Sequence, residues 1–222
     1  MTKPASQPRP RAQGRPDAVD SVGRSALLDA AIEELRSTPP QALTLAAVAA
    51  RAGAHPALIR YYFGNKEGLL KEATRKLVEQ AQDITRTKLE SDAPFEEKLG
   101  ERLNAMIAVI RSNPHYHQLV MEKIYAEKDA AEGQRLLSQI TTRGMGLTLS
   151  MLHDNASTQL RPVDPRFLHI TLIGLAQFFA SSTPLLHELF GPEADFDELK
   201  DRYVAFMKDL ILHGIAADTP AP

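Results

Sequence analysis

The chain of 222 residues contains no cysteine. This excludes disulfide staples and thiol redox sensing, and it fits a reducing cytoplasm. Long apolar runs are also missing. The most apolar stretch, Phe167 to Ala180, is broken by His169 and Gln177 and is too short to span a bilayer. The expectation is a cytoplasmic protein with no membrane partner. Residues 1–24 carry Arg and Lys but no apolar core segment, so they do not read as a secretory signal. Catalytic signatures are absent too: no phosphate-cradling Gly-rich loop, no nucleophile elbow, and no carboxylate–His spacing suited to metal-assisted hydrolysis. His115 and His117 are two residues apart and would face different ways on one helix, so they form no metal site. The reading is of a protein that is not an enzyme and holds neither metal nor cofactor.

What is present points to helices. Hydrophobic content of 43% with ordinary charge argues a globular chain. Its length allows a sizeable core, or a small domain attached to a larger one. Strand signals are few and helical spacing recurs, so the fold class is all-α. The net charge of −2 hides an asymmetry. Up to Glu72 there are ten Lys/Arg against seven Asp/Glu, and beyond it sixteen against twenty-one. A basic head on an acidic body suits a protein whose N-terminal end meets phosphate.

Residues 1–24 hold Pro4, Pro8, Pro10 and Pro16 among Gln, Ser, Gly and Arg, the composition of a flexible basic arm. Its cations Lys3, Arg9, Arg11, Arg15 and Arg24 could follow a phosphate backbone or enter a minor groove. A first helix is expected over Ser25–Arg36, with Leu28, Ala31, Ile32 and Leu35 inward. Leu45, Val48, Ala49 and Ala52 then give one face of a short helix capped by Thr44. Gly53 supplies a turn residue and Pro56 suits the first turn of the following helix. Leu58, Ile59, Tyr62 and Phe63 form that helix's buried side, leaving Arg60 and Tyr61 pointing elsewhere. This is a helix-turn-helix, whose second helix can enter a major groove.

The residues Thr44, Val48-Ala49, Ala52-Gly53, Ile59-Arg60-Tyr61-Tyr62-Phe63-Gly64-Asn65-Lys66-Glu67 and Leu69 resemble the DNA-binding signature of the TetR-type (TetR/AcrR) bacterial transcriptional regulators. Upstream, Leu27-Leu28-Asp29-Ala30-Ala31-Ile32 resembles that family's first helix. The match departs at His55, Ala57 and Arg60, and at Thr38-Pro39-Pro40 after the first helix. The resemblance implies a homodimer with an N-terminal three-helix DNA-binding domain and a larger C-terminal helical bundle. It implies a ligand-responsive regulator, most often a repressor, that leaves a palindromic double-stranded DNA operator when a small-molecule effector binds. The DNA-facing set is then Thr44, His55, Pro56, Ala57, Arg60, Tyr61, Tyr62 and Lys66, of which Tyr62 and Lys66 match positions that touch backbone phosphate in the family.

The expected organisation is an arm over 1–24, a DNA-binding domain over 25–70, a ligand-binding and dimerisation domain over 71–216, and a tail over 217–222. Asn65 caps a long fourth helix to Leu89, followed by helices over Phe95–Ser112, His115–Lys128 and Ala130–Leu152. Asp164-Pro165 opens an apolar helix to Ser182 with a short continuation to Phe190, and a last helix covers Asp195–Ile215. Polar groups scattered through these apolar faces make His117, Met121, Tyr125, Met145, His169, Gln177 and Phe178 candidates for a ligand pocket. Phe167, Ile170, Phe196, Leu199, Tyr203, Phe206 and Leu210 are candidates for the dimer interface, since a monomer would expose so much apolar surface. The competing reading is a small-molecule-binding or enzymatic α-helical bundle whose helix-turn-helix is merely structural.

Overall fold

The computed structural model describes residues 23–90, 93–126, 130–153, 160 and 162–215. Most of the expected arm (1–22) and the tail (217–222) lie outside the described residues. Every element among the described residues is helical: α1 Arg24–Glu34, α2 Leu45–Arg51, α3 Pro56–Phe63, α4 Lys66–Leu89 and α5 Phe95–Ser112. Beyond these come α6 Tyr116–Val120, α7 Ala130–His153, α8 Pro165–Ser181, α9 Thr183–Phe190 and α10 Phe196–Ile215.

Short polar side chains start several of these helices by accepting from free N–H groups. Thr44 Oγ1 accepts from Ala47 N at 3.1 Å, Asn65 Oδ1 from Gly68 N at 2.9 Å, and Asp164 Oδ1 from Arg166 N at 2.9 Å. His55 does the same with a ring nitrogen, Nδ1 accepting from Ala57 N at 3.2 Å. Caps of this kind contribute about 1 kcal/mol each. Arg24, expected in the arm, instead begins α1. Its guanidinium pairs with Glu72 at 2.6 Å and lies 5.1 Å from the centre of the Phe63 ring.

The head is built on one core. Leu27, Leu28, Ala31 and Ile32 of α1 meet Val48 and Ala49 of α2, Ile59 and Phe63 of α3, and Leu69, Leu70, Ala73 and Leu77 of α4. Leu119, far along the chain on α6, enters the same core. The turn between α3 and α4 is unusually tight. Asn65 N–H donates to Phe63 O at 2.9 Å, closing a γ-turn around Gly64 at φ 75°, ψ −60°. That geometry is strained for any residue with a Cβ.

The body packs α5 centrally against α4, α8 and α10, with α7 against α4 and α8. Its core includes Phe95, Leu99, Leu103, Ile107, Leu172 and Phe179. Two expectations are revised here. The single helix expected over His115–Lys128 is α6 followed by a π-helical turn, Met121–Tyr125, in which Ala126 N–H reaches Met121 O at 3.0 Å. The extra residue in that turn changes the direction of every side chain after it. And α9 does not extend α8 but bends away from it by 73°. No single helix among the described residues is long and apolar enough to cross a membrane.

Candidate DNA-reading surface and ligand cavity

On α3 the outward residues are His55, Pro56, Ala57, Arg60 and Tyr61, all exposed. Ile59 and Phe63 hold the helix to the head core. Tyr61 is 80% exposed and meets Tyr62 edge-on at 5.0 Å. Tyr62, expected on the buried side, is itself exposed, while Ile59, Phe63 and the half-buried Leu58 fill the space beneath α3. The Arg60 side chain has no hydrogen-bond or ion-pair partner among the described residues. Lys66 is not a bare cation: its ammonium donates to Gln41 O at 2.7 Å, tying the start of α4 to the loop before α2. The sequence therefore placed Arg60 and Tyr61 on the exposed face of α3 but anticipated neither the exposure of Tyr62 nor the tether at Lys66.

Within the body, a cavity of about 110 Å³ lies between α4, α5, α6, the π-helical turn, α7 and α8. Its wall is mainly apolar, with Val78, Met106, Ile110, Ile124, Ile140 and Ile173 among the lining residues. Three of the candidate ligand residues, Tyr125, His169 and Gln177, line it. His117 is hydrogen-bonded to Gln177 without lining the cavity. Met121, Met145 and Phe178 do not line it. Phe178 follows Gln177 by one residue, a rotation of about 100° on a helix, so it faces outward. Met121 opens the π-helical turn and lies on its outer side.

The polar centre of the cavity was not anticipated from the sequence. Arg102 on α5 is only 2% exposed. Its Nη1 donates to Thr148 Oγ1 at 2.7 Å and its Nη2 to His169 Nδ1 at 2.9 Å. Because a guanidinium cannot accept, His169 Nδ1 must be the acceptor, which leaves any ring proton on Nε2. No carboxylate pairs with Arg102 among the described residues. Burial lowers the Arg102 pKa to about 10. Burial, then the Arg102 charge, lowers that of His169 to about 4. From α4 Gln82 donates Nε2 to Ile140 O at 2.9 Å, while its buried Oε1 has no donor among the described residues. Gly144 allows these groups to converge, since a Cβ there would stand 2.9 Å from His169 Cε1 and 3.2 Å from Gln82 Nε2. The sequence did carry a signal: Arg102 interrupts the run Phe95, Leu99, Arg102, Met106 on the apolar face of α5.

The His169 shift has a testable sign. The unfolded imidazole takes up its proton near pH 6.5, whereas the folded one stays neutral until about pH 4. Between these values the unfolded chain binds more protons, so folding stability falls with pH across that window and loses nothing further below it. His169→Gln is expected to lose less stability than the parent protein between pH 7 and 4.5 in urea denaturation. Equal losses would show that the imidazole is not held neutral.

The candidate interface residues divide into two groups. Phe167 (70% exposed), Ile170, Phe206 and Leu210 point to solvent. Leu199 is buried, and Phe196 and Tyr203 pack on the body core. Tyr203 stacks on Phe179 at 4.2 Å and donates its hydroxyl to Leu175 O at 3.0 Å. The apolar stripe on α10 thus straddles two surroundings. Phe179 and Leu186 cover its N-terminal half, whereas Phe206 and Leu210 extend past that cover.

Comparison with known proteins gives consistent matches over both parts. Residues 27–73 match the family described as "Bacterial regulatory proteins, tetR family", and residues 92–220 that described as "Tetracyclin repressor-like, C-terminal domain". The HTH-type transcriptional regulator BetI of Rhizobium meliloti (strain 1021) is 31% identical over 128 residues, 56% of this chain and 61% of that relative. BetI of Brucella suis biovar 1 (strain 1330) is 33% identical over 101 residues, 45% of this chain and 48% of that relative. The chain therefore spans about half to three fifths of the length of these curated relatives. Among solved structures, a TetR family transcription regulator from Marinobacter aquaeolei VT8 aligns with a TM-score of 0.62 at 18% identity, covering 89% of this chain and 97% of that one. The transcriptional regulator FadR from Bacillus subtilis, in complex with stearoyl-CoA, aligns with a TM-score of 0.59 at 15% identity, covering 83% and 97%. These structural likenesses show a shared fold.

Proposed function

Because the chain belongs to the TetR family of bacterial helix-turn-helix transcriptional regulators, we propose that it is a homodimeric repressor, released from a palindromic DNA operator when a small-molecule effector enters the body cavity. In this reading residues 25–70 contact DNA and residues 71–216 bind the effector and dimerise.

The observation that carries the proposal is the placement of α6. Leu119 inserts into the head core, while Val120 and, in the π-helical turn, Ile124 line the cavity. Tyr116 packs against the head core and also lines the cavity. α4 makes the same connection with other residues: Leu69 to Leu77 build the head core, and Val78 to Thr85 line the cavity. Lys123 of the π-helical turn pairs with Glu67 at the start of α4 at 2.5 Å. A change in cavity occupancy therefore has contiguous packed groups through which to bias the head. The relatives support the direction of the reading, since one structural neighbour was solved with a bound acyl-CoA. Coupling of about 1–3 kcal/mol, common in allosteric proteins, changes operator affinity roughly 5- to 150-fold.

Dimerisation is supported by the outward faces of α8 and α10. Phe167, Ile170 and Phe178 lie along one side of α8, with Phe206 and Leu210 on α10. Pairing these faces about a two-fold axis would bury them as a four-helix contact. Recognition helices of such a dimer must sit about 34–36 Å apart to reach successive major grooves.

The reading is tested by a shift assay with DNA from upstream of the protein's own gene, alongside sedimentation. Specific retardation by a dimer supports it, and a monomer that binds no DNA overturns it. Within that assay Arg60→Ala and Tyr61→Ala should each weaken specific binding by about 1–3 kcal/mol, as expected for side chains at base edges. Undiminished affinity in both variants would remove α3 as the reading helix.

A further inference from the structure

We infer that the effector is a monocarboxylate with a compact apolar body, held by its carboxylate on the buried Arg102 guanidinium. The inference rests on the regulator reading above and names the chemistry of the ligand in that same cavity. A buried guanidinium without a carboxylate is uncommon, because an uncompensated charge in an apolar setting is destabilising. Arg102 spends two of its N–H groups on neutral acceptors, Thr148 and His169, and its Nε has no acceptor among the described residues.

Neither neutral acceptor supplies negative charge, and His169 stays uncharged beside Arg102, so the cavity as built is short of one anion. A planar carboxylate matches the fork of N–H groups on a guanidinium better than any other common anion. A cation or a neutral amide would leave the Arg102 charge uncompensated. The rest of the cavity sets the body of the ligand. Its wall is mainly apolar, and its volume of about 110 Å³ approaches that of cavities known to hold a benzene ring. Gln82 Oε1, which has no donor among the described residues, offers a second polar contact to a ligand hydroxyl or N–H.

Calorimetric titration of the intact protein with benzoate, benzamide and benzylamine separates charge from shape, since the three are near-isosteric. Benzoate is expected to bind at least about 10-fold more tightly than either of the others, because only a carboxylate both accepts from the guanidinium and neutralises its charge. Arg102→Gln should weaken benzoate about 10- to 100-fold and weaken benzamide by less, so that the preference for benzoate disappears. Should that variant fail to fold, the order of the three ligands on the parent protein decides alone. Benzamide or benzylamine binding as tightly as benzoate, or no binding by any of the three at millimolar concentration, overturns the inference. The operator shift assay is run separately with benzoate present. Tight benzoate binding that leaves the operator complex intact upholds the ligand class and counts against effector-driven release.

Discussion

Phe206→Asp is expected to convert the protein from dimer to monomer in sedimentation and to weaken operator binding by about 100-fold or more. Within one subunit Phe206 is 60% exposed, so a charged residue there disturbs little of the packing of the subunit itself. In the proposed dimer the same position is covered by the partner's apolar face. The substitution would then bury an unpaired carboxylate, twice per dimer by symmetry. The loss in DNA affinity follows from separating two linked heads, whose joint binding exceeds that of either by about 10²–10⁴. Leu199→Asp makes the contrast. Leu199 belongs to the subunit core, so that change should unfold the body rather than merely dissociate it. A Phe206→Asp protein that remains dimeric and fully competent for DNA would move the interface to another face.

Gly68→Ala is expected to cost about 3 kcal/mol, the upper end of the usual overpacking range, and to weaken DNA binding without touching the DNA-facing surface. A Cβ at position 68 would stand 2.1 Å from the carbonyl oxygen of Phe63. The opposing atom is backbone, and that carbonyl already closes the γ-turn to Asn65. No flexible side chain can give way. Relief requires α3 and α4 to part, which pulls Phe63 and Ile59 from the head core and turns the α3 face away. Urea denaturation and a shift assay together report both consequences. A variant as stable as its parent would mean that α3 and α4 can part at this junction without loss of packing.

The head was legible in the sequence because its signals are local. Thr44 and Asn65 cap helices where their spacing to the apolar positions predicts, and Gly53 turns the chain with φ 61°. The body was legible as a set of helices but less so as a site. Tyr125, His169 and Gln177 reach the cavity, whereas Phe178 misses it by one step of helical rotation. Nothing local marks the π-helical turn, and that turn redirects the side chains that follow it. The stripe on α10 misled for a different reason. Periodicity groups Leu199 with Phe206, but only the packing of α8 and α9 over one half of the helix distinguishes them. Arg102 escaped notice because a single cation in an apolar pattern gains meaning only once Thr148 and His169 are brought beside it from distant positions.

The brevity of the α3–α4 turn also fixes how the head can travel. With one glycine and one asparagine between the two helices, the head has no hinge of its own and moves as the end of a rod. That rod, α4, has 24 residues and so a length of about 36 Å. Tilting it by roughly 5° about its far end carries the head through about 3 Å, by the same helical rise. In a two-fold dimer the heads would swing in opposite senses, changing their separation by up to about 6 Å, a sizeable fraction of the half-turn of B-DNA that separates groove from backbone. Lever geometry of this kind needs no large rearrangement at the cavity, only a wall that leans.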